Sequence, residues 1–147
     1  MIRHARPDEA GAVRALVRAA YAHYVPRIGA EPGPMRDDYA VRIAAGQTYV
    51  LEHAGALAGV LVLEDQEEAL LLDNVAVAPA HRGGGCGRRL LEFAEREARA
   101  RGYAAIALYT HARMTENQAL YSRLGYRETA RRVDHGFPRV FMRKPLG

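Results

Sequence analysis

Cysteine is almost absent from this sequence, since one Cys occurs among 147 residues. A single thiol excludes an internal disulfide framework and a Cys-rich metal site, and the six His are too scattered to suggest another metal centre. Long apolar runs are also missing, because no stretch of eighteen apolar residues is present that could cross a membrane. The N-terminal segment MIRHARPDEAG carries no apolar signal-peptide region. We therefore expect a cytoplasmic protein without a metal ion and without a membrane partner.

Internal repeats, low-complexity tracts and linkers are absent as well, and the length suits one ordinary domain. Hydrophobic residues make up 49% of the chain, which is enough for a core, so residues 1–147 are expected to form a single domain. The net charge of +4 suits a nucleic acid, a membrane surface or a polyanionic cofactor, and it equally suits plain solubility. Arginines alternate with glutamates on the longest predicted helix and aromatic residues amount to only 7%, so no nucleic-acid partner is expected.

What is present is an alternation of apolar runs, which predict strands, and of apolar residues at helical spacing, which predict helices. Residues 26–35, PRIGAEPGPM, form the only long irregular stretch, and Thr115 with Gln118 has the spacing of a capping box. The order of elements predicts an α/β or α+β domain around one mixed sheet. The predicted strands are 2–5, 47–53, 56–64, 69–79, 104–110, about 126–132 and about 138–144, and helices begin at Pro7, near residue 37, after the glycines and near Thr115.

The stretch HRGGGCGRR, residues 81–89, places four glycines between a predicted strand and a predicted helix. The first amides of a helix have no internal partner and the helix dipole favours an anion there, so a phosphate or pyrophosphate is the natural ligand. Arg82 and Arg88 bracket the loop and could neutralise that charge. The stretch lacks the Lys-Ser/Thr of a P-loop and is not a GxGxxG after a first strand. A flexible turn before a capped helix is the alternative.

The segment VAVAPAHRGGGCGRRLL resembles the acetyl-CoA signature of the GNAT superfamily of N-acetyltransferases, whose core pattern is Arg/Gln-x-x-Gly-x-Gly/Ala after a strand. Arg82, Gly85 and Gly87 stand at its three defined positions. A second motif of that family resembles NQALYSRLGY, residues 117–126, and the element order from 1 to 144 is also similar. The resemblance implies a single GNAT-like domain with a central mixed, mostly antiparallel sheet of six to seven strands flanked by about four helices. It also implies direct transfer of an acetyl group from acetyl-CoA to a primary amine through a ternary complex.

The same resemblance assigns roles to individual residues. It implies that Tyr121 is the general acid for the leaving thiolate. The general base is less defined: Asp73 is the candidate, with Glu64, His111 and a water-mediated route as alternatives. The loop, the strand before it and the second motif would hold the cofactor through Val75, Ala76, Val77, Arg82, Gly83, Gly84, Gly85, Cys86, Gly87, Arg88, Asn117 and Tyr121. Cys86 is not expected to act as a nucleophile, because it stands at a free position of the phosphate loop.

The acceptor is expected to be a small-molecule amine, because the loops are short. The candidates for its binding are Tyr21, Tyr24, Met35, Tyr39 and His111, together with the turn VDHGFPR, and the aromatic residues and Met could equally belong to the core. The alternatives are a protein N-terminal or lysine acetyltransferase, an enzyme for another acyl-CoA, and a non-catalytic acyl-CoA-binding module. Dimers that meet through the C-terminal strands are common in the family, so a homodimer is compatible with this chain.

Overall fold

The computed structural model describes all 147 residues. Seven strands form one sheet in the order β1-β2-β3-β4-β5-β7-β6, in which β4 and β5 are parallel and the pairs β1-β2, β2-β3, β5-β7 and β6-β7 are antiparallel. This confirms the predicted fold class. The strands are β1 Ile2–His4, β2 Thr48–His53, β3 Ala56–Asp65, β4 Leu70–Val77, β5 Ala105–His111, β6 Arg127–Asp134 and β7 Phe137–Pro145. The helices are α1 Ala10–Tyr21, α2 Val25–Ile28, α3 Tyr39–Ala44, α4 Cys86–Ala100 and α5 Thr115–Arg123. None of them has both the length and the apolar composition that crossing a membrane requires.

The chain divides into two compact units, and the boundary runs through β3, β4 and α4. Unit 1 comprises 1–63 and 74–94, and unit 2 comprises 64–73 and 95–147. The core of unit 1 contains the apolar stripe predicted for α1 and the inward side chains of β2 and β3, namely Val13, Leu16, Val17, Ala20, Val50, Val60 and Val62. In unit 2 the buried apolar side chains of β5 and β7 are Ala105, Ile106, Leu108, Val140 and Met142. That residues 1–147 form a single domain stays a prediction.

The segment 25–36 is more regular than its prolines and glycines predict. Residues 25–28 form the single helical turn α2, which ends at Gly29 with φ +81°, and residues 33–36 form a 3-10 turn. A proline stands in the first turn of each. Proline is compatible with that position because the first amides of a helix need no intrahelical acceptor. The prediction of an irregular stretch over 26–35 is therefore wrong for most of its length.

The start of α1 is held by Glu9, which is buried although it is charged. Arg3 of β1 donates to both Glu9 carboxylate oxygens at 2.8 Å, and Arg6 N donates to Oε1 at 2.8 Å. The hydrogen bonds from Arg3 are the main cause that lowers the pKa of Glu9 from 4.5 to about 2. A carboxylate held in this way ties the first strand to the first helix.

The Glu9 carboxylate is expected to make stability depend on pH. Since its pKa is lower in the folded state than in the unfolded state, its stabilisation is fully present above about pH 5 and is lost as the pH falls toward about 2. The loss is on the order of 2 kcal/mol. Urea unfolding between pH 7 and pH 2 should show a flatter profile for Glu9→Gln than for the wild type. The same change at exposed Glu67 should leave the profile unaltered; equal profiles for all three proteins would contradict this.

Gly59 in β3 lies against the backbone of β4 and a side chain of α4, and this close approach requires a residue without a Cβ. A Cβ at Gly59 would lie 2.7 Å from Leu90 Cδ1 and 3.2 Å from the carbonyl oxygen of Ala76. Leu90 is fully buried and the Ala76 carbonyl is backbone, so neither can move away cheaply. Gly59→Ala should destabilise the fold by about 1–3 kcal/mol. In contrast, Gly11→Ala, inside α1 with open space around it, should stabilise by about 0.5–1 kcal/mol, and denaturant unfolding measures both.

Candidate active site

The glycine-rich loop of unit 1 runs from the 3-10 turn Pro79–His81 to the first residue of α4. Gly83 and Gly85 have φ +79° and +83°, which a residue with a Cβ rarely adopts, and a Cβ at either would meet open space. Arg89 N donates to Gly85 O at 3.1 Å, and no amide from residue 83 to residue 88 has a backbone acceptor. A row of unpaired amides at the start of a fifteen-residue helix is able to bind an anion such as a pyrophosphate.

The side chains of the loop have different surroundings. Arg82 Nη2 donates to the carbonyl oxygen of Ala20 at 2.8 Å, so this arginine fastens the loop to the end of α1. Arg88 is exposed, with Nε 3.7 Å from the Glu92 carboxylate. Cys86 is buried. The anchoring contact of Arg82 could not be derived from the sequence, because its acceptor is a backbone carbonyl sixty-two residues away.

The second half of β4 carries a buried polar residue that the sequence analysis did not single out as a site residue. Asn74 is 3% exposed. Tyr21 OH donates to Asn74 Oδ1 at 2.7 Å and to the Val75 carbonyl at 3.2 Å. Asn74 Nδ2 donates to Tyr39 OH at 3.1 Å, and that hydroxyl donates to Pro34 O at 2.6 Å. These bonds link β4 to α1, to α3 and to the loop before α3. The pair of polar residues Asp73 and Asn74 in an otherwise apolar strand was the only available signal.

The candidate acceptor residues of unit 1 lie close to this network. Tyr39 and Met35 are almost fully buried, at 3% and 4% exposure, and Tyr24 is buried beside Tyr21, with a distance of 6.2 Å between the two ring centres. Tyr21 is half-buried. A groove of about 390 Å³ opens beside Met35 and Tyr39, and its polar lining is Arg14, Arg36, Asp37 and Asp38. The hydroxyl groups of Tyr21 and Tyr39 thus meet at Asn74 through hydrogen bonds, and Tyr24 lies beside Tyr21 through a ring contact.

Asp73 is the last residue of β4 that belongs to unit 2. It accepts a hydrogen bond from Tyr109 OH at 2.7 Å. Asp73 is half-buried. Tyr109 in turn lies beneath the guanidinium of Arg139, whose Cζ is 4.2 Å from the ring centre. A carboxylate held by a phenol in this way is oriented, and a carboxylate is a group that can accept a proton.

His111 closes β5 and is buried. Its Nδ1 accepts a hydrogen bond from Arg113 N at 3.0 Å, so the proton of the neutral ring is on Nε2. Burial is the main cause that lowers the His111 pKa, and the charges of Arg113 and Arg139 lower it further. A neutral imidazole at physiological pH follows from all three causes.

Helix α5 carries the second motif. Its N-cap residue is Met114 without a side-chain cap, so the predicted capping box of Thr115 and Gln118 does not form. Gln118 instead donates to the carbonyls of His111 and Ala112, at 3.3 and 3.0 Å. The helix starts one residue earlier than that pattern requires, since Thr115 is its first residue and not its N-cap. Asn117 Nδ2 contacts the Met114 sulfur at 3.6 Å. Tyr121 is buried, with its ring 5.7 Å from that of Tyr126 in an edge-to-face arrangement.

A mixed sheet with a row of unpaired amides between a strand and a long helix defines a protein that can hold a phosphate-bearing cofactor. Residues 44–128 match the family described as Acetyltransferase (GNAT) domain, which is more than half of the chain, and the chain therefore belongs to the GNAT acetyltransferase family. The predicted family is thus confirmed.

Two curated relatives match shorter segments. N-alpha-acetyltransferase 80 of Mus musculus is 45% identical over 62 residues, which are 42% of this chain and 18% of that protein. IAA acetyltransferase of Azospirillum brasilense is 42% identical over 72 residues, which are 48% of this chain and 47% of that protein. The match thus spans less than half the length of either relative.

The solved structure of PaiA N-acetyltransferase from Thermoplasma acidophilum, in complex with coenzyme A, has a TM-score of 0.84 to this protein at 18% identity. The superposition covers 99% of this chain and 98% of that one. At this identity the likeness shows the fold, and it extends over the whole sheet and its helices.

The structure contains no group of three or more His, Cys, Asp or Glu side chains that could hold a metal ion.

Proposed function

We propose that this protein is an N-acetyltransferase that transfers an acetyl group from acetyl-CoA to the primary amine of a small molecule. The observation that carries the proposal is the row of unpaired amides from residue 83 to residue 88 in a chain of the GNAT family. Coenzyme A carries a pyrophosphate, which such amides can bind. Residues 1–147 act as one domain in this proposal.

Different residues of the chain bind different parts of the cofactor in this proposal. The amides of the loop bind the pyrophosphate, Arg82 keeps the loop attached to α1, and the backbone of β4 lies along the pantetheine arm. Acetyl-CoA, when bound, supplies the activated acetyl thioester. The cofactor-binding residues of this proposal are Val75, Ala76, Val77, Arg82, Gly83, Gly84, Gly85, Cys86, Gly87, Arg88, Asn117 and Tyr121.

Proton transfer is assigned to two side chains. Asp73, oriented by the Tyr109 hydroxyl at 2.7 Å, takes the proton from the attacking amine. Tyr121 donates a proton to the leaving thiolate from its hydroxyl. The neutral ring of His111, together with Tyr21, Tyr24, Met35 and Tyr39, belongs to the acceptor side in this proposal. Tyr39 and Met35 contribute there by shaping the loop between α2 and α3, because their own side chains are buried.

A calorimetric titration with acetyl-CoA, followed by a thiol-release screen across amine classes, tests the proposal. Saturable binding with turnover on small amines is the expected result. Binding without turnover on any amine would overturn the catalytic part, and no binding would overturn the cofactor assignment.

Acetylation of a protein N-terminus is the second candidate function. It is favoured by the 45% identity over 62 residues to the relative named N-alpha-acetyltransferase 80. Peptides with a free N-terminus therefore belong in the same screen. Turnover confined to peptides would select this function over the small-molecule one.

We also propose that the protein acts in the cytoplasm and that two copies associate through the C-terminal strands. Strand β6 is the edge of the sheet, and Val133 on it is 71% exposed. An unpaired edge with an exposed apolar side chain supports pairing of two copies. Light scattering during size-exclusion chromatography should give twice the monomer mass of 16.2 kDa, and Val133→Lys should return the mass to that of the monomer.

A further inference from the structure

One face of the sheet in unit 2 carries a row of basic side chains. His111 of β5 lies directly opposite Arg139 of β7, and Arg139 lies directly opposite Arg132 of β6. Residues directly opposite each other in an antiparallel pair point to the same face. Like charges in such a pair destabilise a sheet, so two opposed arginines need a reason other than strand pairing.

Aromatic rings support both arginines on this face. The guanidinium carbon of Arg139 lies 4.2 Å from the ring centre of Tyr109, and that of Arg132 lies 3.8 Å from the ring centre of Phe141. Tyr109 and Phe141 are themselves directly opposite each other, so they form the adjacent row on the same face. Stacking on a ring fixes the plane of a guanidinium and leaves its N–H edge available for a planar acceptor.

The guanidinium N–H groups of this row are only partly occupied within unit 2. Arg139 Nη1 donates to Asp134 Oδ2 at 3.0 Å, and no other N–H of Arg139 makes a hydrogen bond. Arg132 forms no ion pair. Asp134 is therefore the carboxylate that pairs with this row, while the nearby Asp73 carboxylate accepts a hydrogen bond from Tyr109 OH. Burial keeps the adjacent His111 neutral by lowering its pKa. A carboxylate of a ligand is able to accept from the guanidinium N–H groups that remain.

The contacts between the sheet of unit 2 and the helices of unit 2 are on the opposite face of the sheet. Thr110 contacts the Met114 sulfur at 3.6 Å, Arg131 contacts Gln118 of α5 at 3.4 Å, and Lys144 pairs with Glu95 of α4 at 3.0 Å. Those strand residues alternate with the ones of the basic row. The row therefore lies on the face against which the helices of its own unit do not pack.

We infer that the face formed by Arg132, Arg139 and Tyr109 binds a carboxylate of the acceptor, so that the substrate is an amine that also carries a carboxylate. This rests on the proposed function. Tyr109 contacts both Asp73, the proposed base, through its hydroxyl and Arg139 through its ring. The amine and the carboxylate of one acceptor thus bind within the length of one tyrosine side chain, as in an amino acid or an acidic N-terminal residue of a peptide.

Matched amines test the inference. Phenylalanine and 2-phenylethylamine differ by the carboxylate, and the half-buried rings of Tyr109 and Phe141 suit their phenyl group. The kcat/KM of the wild type should be at least about tenfold higher for phenylalanine, which is typical for a charge-assisted hydrogen bond. The peptides Asp-Ala-Ala and Asn-Ala-Ala form the second pair. A preference within the first pair alone indicates a free amino acid, and one within the second pair alone indicates a peptide.

The variants separate binding from folding. Arg132→Gln removes an exposed guanidinium without an ion pair, and Arg139→Gln removes the buried one; each should bring the preference for the carboxylate close to one by raising KM. Arg131→Gln is the matched control, because Arg131 is the neighbouring arginine on the opposite face. An unchanged preference in both Arg132→Gln and Arg139→Gln would overturn the inference, as would equal kcat/KM for both members of both pairs.

A binding measurement separates this inference from the proposed function. The wild type should bind 3-phenylpropanoate in a calorimetric titration without acetyl-CoA, and Arg132→Gln should weaken the affinity by about tenfold. This result would hold even if no amine were acetylated, in which case only the proposed function would fail. Absence of binding to the wild type, or equal affinity of the wild type and Arg132→Gln, would overturn the carboxylate site.

Discussion

Gly85→Asp is expected to abolish the binding of acetyl-CoA. Gly85 has φ +83° and lies within the row of unpaired amides before Arg89. An aspartate there would strain the backbone and would place a negative charge beside a pyrophosphate that carries the same charge. The affinity should fall by at least about a hundredfold, a few kcal/mol in free energy. Calorimetric titration with acetyl-CoA measures it directly.

Gly102→Asp is the control for backbone strain alone. Gly102 lies two residues after the C-terminal end of the same helix α4. Its φ is +84°, and a Cβ added there would meet open space. Both variants should lose a similar free energy of unfolding, while only Gly85→Asp should lose the cofactor. Gly85→Asn, which keeps the shape and removes the charge, should fall between Gly85→Asp and the wild type. Wild-type affinity in Gly85→Asp would show that the loop does not hold the pyrophosphate.

Tyr121→Phe is expected to lower kcat by roughly a hundredfold or more, which is the typical contribution of a general acid. Removal of the hydroxyl oxygen leaves the ring and its edge-to-face contact with Tyr126 in place, so the fold and the affinity for acetyl-CoA should change little. Single-turnover measurement of thiol release separates the chemical step from product release. A proton donor lost from the leaving thiolate should also change the pH dependence of kcat.

Tyr126→Phe provides the matched control in the same unit. The Tyr126 hydroxyl is buried without a hydrogen-bond partner, and burial is the main cause that raises its pKa. Removing it should leave kcat unchanged and stabilise the fold by about 1 kcal/mol, since an unsatisfied buried hydroxyl costs free energy. If Tyr121→Phe and Tyr126→Phe had the same kcat as the wild type, Tyr121 would not be the acid.

The order of the elements was predictable because it depends on local patterns. Continuous apolar runs predicted β3 and β5, and apolar residues at helical spacing predicted the buried stripe of α1 with Val13, Leu16 and Val17. The glycine loop could be located for the same reason, since a strand, four glycines and a helix follow one another directly. These features need no information about distant parts of the chain.

The details of helix starts were less predictable. Thr115 and Gln118 have capping-box spacing, yet Gln118 binds the carbonyls of His111 and Ala112 and the helix begins after Met114. Prolines at 26 and 34 indicated a loop, although each stands in a first helical turn. In both cases a local signal is compatible with two structures, and packing selects one of them.

By itself, the sequence determined the family, the order of the elements and the position of the loop whose amides suit a pyrophosphate, because each follows from residues that are neighbours along the chain. Only the tertiary structure decided which side chains meet: Arg82 with the Ala20 carbonyl, Asn74 with Tyr21 and Tyr39, and Arg139 with Tyr109 and Asp134. These partners come from different helices and strands. Strand register and helix packing set such contacts, and neither is encoded in a short stretch of sequence.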